Sequence, residues 1–201
     1  MGGTRWEAMA RDADMGETEL VAAARRGDRE AAGRLLAVHH RAVLGVCRFL
    51  LGPRGDVEGA AQEVLLKALR GLASYRGSGS FRGWLAAIAT HLCRDRLRRA
   101  RLVPFSSLDE ANGSKEDWRG APAASGANPE LQAMARQAAG LVTREVASLP
   151  ERQREAFTLR FFGELELAEI AAAMGVDEGT VKTHLHRAVH RVRRAVEEAR
   201  P

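Results

Sequence analysis

The chain has 201 residues, enough for one or two domains with a real core, and no apolar run approaches the roughly 18 residues that a membrane span needs. Hydrophobic residues make up 45% but aromatics only 5%, a balance that favours helix over sheet. The net charge of +5 suggests a polyanionic partner. Two cysteines, Cys47 and Cys93, are too few for a disulfide framework or a four-sulfur zinc site; with no signal peptide visible, a reduced cytoplasmic protein without membrane insertion is expected.

Residues 1–16 show no sustained periodicity and are expected to fray. Leu20, Val21 and Ala24, then Leu35, Leu36, Val38, Val43, Leu44, Val46, Phe49 and Leu50, recur at helical spacing. The run is broken at Gly27-Asp28, where Asp28 can cap a second helix. Residues 52–56, Gly-Pro-Arg-Gly-Asp, are a turn by composition. Asp56 can cap a third helix with Ala61, Val64, Leu65, Ala68, Leu69 and Leu72 inward. A glycine-serine loop at 74–81 leads to a fourth helix that should bury Leu85, Ile88, Leu92 and Leu97 and ends in a dense arginine run. Cys47 and Cys93 fall within helices and read as small core residues rather than as a redox switch.

From Val103 to Pro129 the chain is rich in Pro, Gly, Ser, Ala and Asn, without periodicity, and carries Asp109, Glu110, Glu116 and Asp117 against Lys115 and Arg119. So long a loop is unusual inside a compact domain, so an interdomain linker is expected. A coil of about 27 residues has an r.m.s. span near ~30 Å and a contour near ~90 Å.

Helical signal returns at Glu130. Residues 149–196 read as four helices. Pro150 fits a helix N1 position, with Leu149 available to pack on Phe157 or Leu159, and Phe161, Phe162 and Gly163 end the next helix. Leu167, Ile170 and Ala171 mark a short helix, Gly175 permits a sharp turn, and Asp177 can cap the last helix. On that helix Val181, Leu185, Ala188, Val192 and Val196 share one side, while Thr180, Lys182, Thr183, His184, Arg187 and Arg191 occupy the rest. A short helix, a glycine turn and an amphipathic helix basic near its start is the helix-turn-helix design. The apolar side docks on its own domain, and Lys, Arg, His and Thr of the first turns meet base edges and phosphates. An ordinary solvated basic face is the plainer alternative, but turn, cap and charge together favour DNA. His186 and His190 stand at i, i+4, yet no third ligand accompanies them, so neither metal nor cofactor is expected.

Residues 149–188 resemble region 4 of sigma factors of the extracytoplasmic-function (ECF) class. The resemblance is carried by Leu149, Pro150, Arg154 and Phe157, then by Glu169, Ile170, Ala171, Gly175, Gly179, Thr180, Val181 and Lys182, followed by Leu185, His186, Arg187 and Ala188. The N-terminal half is similar to region 2 of the same family. There Gln62-Glu63 with Val64, Lys67 and Ala68 matches the polymerase-binding helix. Phe81, Arg82, Trp84, Leu85, Ile88, Ala89, Asp95, Leu97, Arg98 and Arg99 match the promoter-melting segment. The resemblance covers about residues 18–101 and 140–196.

It implies an all-α chain of two small helical domains on a flexible linker. Residues 1–17 would be a flexible N-terminus, 18–101 region 2, 102–139 an acidic linker leading into a helix, and 140–201 region 4. The implied function is that of an alternative sigma factor, not an enzyme. Region 2 would bind the β′ clamp helices of core RNA polymerase through Asp56, Glu58, Gln62, Glu63 and Lys67. It would melt the −10 element with Tyr75, Phe81, Arg82, Trp84, His91, Arg94, Arg98 and Arg99. Region 4 would sit on the β flap and read the −35 element through Thr180, Lys182, Thr183, His184, Arg187 and Arg191. An anti-sigma factor is an implied further partner. The chain departs from the family's commoner residues at Gly59, Ala60 and Ala61, at Ala87, Thr90 and His91, and at His184; these bear on the β′ contact and the promoter sequence. Two rival functions are a conventional helix-turn-helix regulator and a helical enzyme. The first leaves Gln62-Glu63 and the aromatic-arginine segment unexplained, and the second lacks a phosphate loop, a ligand set or a nucleophile-base constellation.

Overall fold

The computed structural model describes residues 16–52, 55–77, 79–102 and 129–198. Most of the expected linker and the N-terminal stretch 1–15 lie outside the described residues. Among those described there are eight α-helices and one 3-10 turn, with no strand.

Local chemistry sets the helix starts. α1 (Glu17–Arg25) places Glu17 and Glu19 in its first turn, where carboxylates suit the helix dipole, and buries Leu20, Ala23 and Ala24. Gly27, at φ 97°, turns the chain into α2 (Arg29–Leu51). Asp28 caps α2 by accepting from the backbone N–H of Glu30 at 2.9 Å and of Ala31 at 3.1 Å. Asp56 likewise accepts from Gly59 N at 2.9 Å and starts α3 (Val57–Gly71). A 3-10 turn (Leu72–Ser74) and a short loop follow, and Ser80 Oγ accepts from Gly83 N at 2.9 Å to cap α4 (Phe81–Leu102).

α5 (Pro129–Ser148), α6 (Glu151–Phe161), α7 (Leu167–Met174) and α8 (Glu178–Glu198) complete the chain. Residues 149–196 therefore carry three helices, not the expected four; the fourth of this half is α5, before Leu149. Pro150 is the N-cap of α6 rather than its first helical residue, its fixed φ of −52° leading directly into the helix.

The main core runs from Leu35, Val46, Val64, Leu85 and Ala89 of the N-terminal helices to Leu159, Ile170, Met174 and Val181 of the C-terminal ones. A second cluster joins Phe49 of α2 to Val146, Leu149, Phe157, Ala188 and Val192. The two halves thus pack directly on one another. Ala60, Ala61 and Ala68 are fully buried on α3, so their small side chains let neighbouring helices approach closely. Cys47 of α2 and Cys93 of α4 are fully buried free thiols that meet side chain to side chain; the contact with Cys47, then burial, pushes the Cys93 thiol up.

Several expected core positions fall elsewhere. Leu69 and Val38 are exposed, and Ile88 and Leu97 are only half-buried. Helical spacing identifies a stripe but not its edges, and these residues lie at the margin of theirs.

Candidate nucleic-acid interface

α7 and α8 are joined through Gly175, in the left-handed conformation at φ 68° and ψ 41°. Asp177 then starts α8: its Oδ1 accepts from Thr180 N at 2.9 Å and its Oδ2 from the Thr180 hydroxyl at 2.6 Å. These bonds hold the Asp177 carboxyl below its ordinary pKa. The Thr183 hydroxyl donates to Gly179 O at 3.0 Å. Both threonine hydroxyls therefore serve the start of their own helix. Val181, Ala188 and Val192 are buried against the rest of the molecule, with Leu185 and Val196 half-buried beside them. Lys182, Arg187 and Arg191 are exposed along the opposite side, with His186 and His190 between them. His184 is half-buried, and its Nδ1 has no hydrogen-bond partner. The arrangement presents long cations outward from a rigidly capped helix, as groove reading requires.

The residues expected at the melted strand divide into two sets. Tyr75 and Phe81 are buried, with ring centroids 5.6 Å apart, and Trp84 is half-buried at 5.0 Å from Tyr75. The Tyr75 hydroxyl donates to Gly79 O at 2.9 Å, and burial raises its pKa. These rings pack on one another at the base of the loop. His91, Arg98 and Arg99 are exposed on α4, and Arg82 and Arg94 half-exposed. Arg98 pairs with Asp95 at 3.3 Å.

Arg82 and Arg94 are engaged by the C-terminal half. Arg82 Nη1 donates to Glu164, and Arg94 Nη2 to Glu155, itself buried. The Ser80 hydroxyl and backbone N–H donate to Glu169 Oε1, while Glu169 Oε2 accepts from Glu166 N at 2.9 Å and so caps α7. Burial raises the Glu169 carboxyl, but the Ser80 hydroxyl and the backbone bonds outweigh it and leave the group below its usual range. A Cβ on Gly83 would stand 3.0 Å from Glu169 Oε1, so glycine keeps that approach open. None of these contacts was expected from the sequence, where Glu155 and Glu164 are ordinary helix and turn residues and Glu169 stands only as part of the region 4 resemblance.

On α3, Asp56, Glu58, Gln62 and Lys67 are exposed and Glu63 half-buried. Arg96 of α4 donates to Asp56 Oδ2 at 3.2 Å and to Glu63 Oε2 at 2.9 Å. That second bond holds the Glu63 carboxyl below its ordinary pKa. Lys67 stands 3.5 Å from Glu63 Oε1. Leu66 and Leu69, 51% and 48% exposed, lie on the same outward side, apolar groups rimmed by charge. Sequence reasoning missed them as surface residues.

No cluster of three or more metal-binding side chains occurs among the described residues, and the His186 and His190 rings stand 6.5 Å apart. Among the described residues, no helix is long and apolar enough to cross a membrane.

The sigma-70 region 2 model matches residues 35–103, and the sigma-70 region 4 model matches residues 139–192. The ECF RNA polymerase sigma-E factor of Escherichia coli strain K12 is 34% identical over 171 residues, spanning 84% of this chain and 88% of that protein. The ECF RNA polymerase sigma factor SigW of Bacillus subtilis strain 168 is 25% identical over 174 residues, spanning 87% and 93%. Two solved structures share the fold, each at a TM-score of 0.62. One is CnrH in complex with the cytosolic domain of CnrY, 23% identical over 90% of this chain and 97% of that one. The other is the Bartonella quintana sigma factor RpoE in complex with the anti-sigma factor NepR, 21% identical over 84% and 98%. With regions 2 and 4 in order on one all-α chain, the protein belongs to the ECF class of sigma-70 factors and is a transcription-initiation factor rather than an enzyme.

Proposed function

We propose that the chain recruits core RNA polymerase to promoters by reading the −35 element with α8 and opening the −10 element with α4 and the loop before it. The observation that carries this reading is the pairing, on one chain, of a capped helix presenting Lys182, Arg187 and Arg191 with an arginine-rich α4 whose first turn joins Phe81 and Trp84 to Tyr75 of the loop before it. His91, Arg98 and Arg99 are the accessible phosphate and base contacts on α4, with Arg82 and Arg94 added when the halves separate. Stacking or sheltering an unpaired base stabilises it by roughly 1–3 kcal/mol, enough to offset local unpairing. Trp84, half-buried at the edge of its cluster, is the aromatic best placed for that role. Thr180 and Thr183 act by fixing the helix start, and His184 by its partly exposed ring.

The face of α3 with Leu66 and Leu69 between Gln62, Glu63 and Lys67 fits the β′ clamp helices, with Asp56 and Glu58 at its start; region 4 fits the β flap. CnrH and the Bartonella RpoE are each bound by a partner in their solved complexes, NepR being an anti-sigma factor, and an anti-sigma factor is the corresponding partner here. The site of action is the cytoplasm, where polymerase works.

Mixing the protein with core polymerase and mapping transcript 5′ ends on fragmented genomic DNA tests the reading. Defined starts that appear only with the protein and share −10 and −35 elements are the expected result. Tight duplex binding by the protein alone, with no association with core and no new starts, would replace it with a conventional regulator.

A further inference from the structure

Lys182, His186, His190 and Arg194 follow one another at four-residue spacing along α8, and all four are exposed. Residues four apart stand one above the other on a helix, so these side chains form a single outward ridge roughly 18 Å long. Glu178 precedes the ridge by the same interval, and Glu198 follows it and pairs with Arg194 at 3.3 Å. Between those acids the ridge has a fixed cation at each end and two imidazoles in the middle. The imidazole rings lie side by side, centroids 6.5 Å apart and planes within 25°. Histidine is the side chain whose ordinary titration falls between about pH 5 and 8. We infer that His186 and His190 hold the −35 duplex as imidazolium, so that α8 takes up protons as it docks and grips its promoter more tightly as pH falls. The inference rests on the proposed −35 role of α8.

The surroundings favour proton uptake on DNA rather than before it. Arg187, Arg191 and Arg193 flank the ridge on α8, and Glu197 stands two turns beyond His190. A proton added to either ring of the free chain therefore joins a field that is already positive. α5, α6 and α7 pack on the other side of α8, where Val181, Ala188 and Val192 are buried. Among the described side chains of that side, Arg152 pairs with Glu155 and Arg160 with Glu166, Arg154 donates to Ala147 O, and Glu169 accepts from Ser80 and Glu166. Arg144, Glu145 and Glu151 are the remaining charges on those helices. Duplex DNA brings the counter-charge that α8 lacks, and a protonated ring donates from both nitrogens where a neutral ring donates from one. Linkage makes the two events reciprocal: whatever a bound proton adds to the affinity for DNA, DNA adds to the affinity for the proton.

The test is fluorescence anisotropy of the full chain on a labelled duplex carrying the mapped −35 sequence, at about pH 7.5 and about pH 6 and constant ionic strength. Circular dichroism checks the fold at both. Affinity of the parent chain should rise roughly three- to tenfold over that interval. The slope of log affinity against log salt should steepen at the lower pH by about 1 for each proton taken up. His186→Gln with His190→Gln should cut the rise to less than about twofold. His186→Arg with His190→Arg carries the charge permanently. That variant should bind at the higher pH about as tightly as the parent does at the lower, and should also lose the pH response. A flat parent profile, or a response that survives in either double variant, overturns the inference. The −35 reading has a separate readout: Lys182→Ala with Arg187→Ala should weaken binding at both pH values. If it does so while the parent profile is flat, only proton uptake is lost. If it changes nothing, the −35 reading falls and proton uptake by α8 falls with it.

Discussion

Glu155 is shared between Arg94 of the N-terminal half and Arg152 of its own helix, one arginine on each carboxylate oxygen. The carboxylate is buried while the Arg94 side chain is 30% exposed, so the pair sits where removing one partner strands the other in a poorly hydrated place. Glu155→Ala is expected to cost roughly 2–3 kcal/mol, less than a fully enclosed pair because Arg94 keeps some water. A double-mutant cycle with Arg94→Ala, followed by denaturant unfolding, should give a coupling of at least about 1 kcal/mol. Additive losses would remove the pair from the account of stability.

Lys182 and Arg191 should be separable by how they act on duplex DNA. For a residue held only by phosphate, substitution to Ala weakens binding to all sequences alike and lowers the salt slope by about 1. For a residue on a base edge, the loss is roughly 1–3 kcal/mol on the correct promoter and small elsewhere. Lys182, in the first turns of α8, is expected in the second class, and Arg191, further along, in the first. Titrations on the mapped −35 duplex and on a scrambled duplex, at two salt concentrations, decide each assignment.

Gly175→Ala isolates backbone conformation from packing. The position is left-handed at φ 68°, and an added Cβ would meet nothing within 4 Å, so no collision accompanies the change. The expected loss is about 1–2 kcal/mol, the strain of an L residue there. Gly175→Asn should lose less, since asparagine tolerates this region. Equal losses in thermal unfolding would mean that something other than the dihedral is at stake.

His39 should make stability depend on pH. It is buried on α2, with Nε2 3.2 Å from Glu17 Oε2 but not aligned as a hydrogen bond, and its ring stands 5.3 Å from that of Phe81. Burial lowers its pKa from 6.5; Glu17 opposes the shift and Arg82 adds to it. The folded state therefore holds fewer protons than the unfolded one as pH falls through 6.5. Its contribution is complete above that value and is lost as pH drops toward the folded pKa. The melting temperature should fall as pH drops below 6.5, and His39→Phe should flatten that decline. An unchanged profile in the variant would assign the acid sensitivity elsewhere.

What could be read from the sequence was local. Asp28, Asp56 and Asp177 cap the helices they were expected to cap, and Gly175 makes its turn, because each acts on backbone groups within three residues. What escaped was long-range. The Arg94–Glu155 and Ser80–Glu169 contacts join residues 61 and 89 positions apart, and no periodicity encodes which acid meets which cation. The aromatic loop shows the same limit. Tyr75 and Phe81 are suited by type to stack on bases, and equally to fill a core; only the assembled helices place them inside. Leu69 illustrates the converse, an apolar residue whose neighbours leave it outside.

The enclosed thiols of Cys47 and Cys93 have a practical consequence. They join α2 to α4, and the chain contains no other cysteine, so everything from α5 onward is blind to thiol reagents. With both sulfurs sealed and the Cys93 thiol raised, a maleimide can attach only when these two helices part. Labelling is then a clock for one half of the molecule. Its rate counts the spontaneous partings of α2 from α4, in the half proposed to grip polymerase.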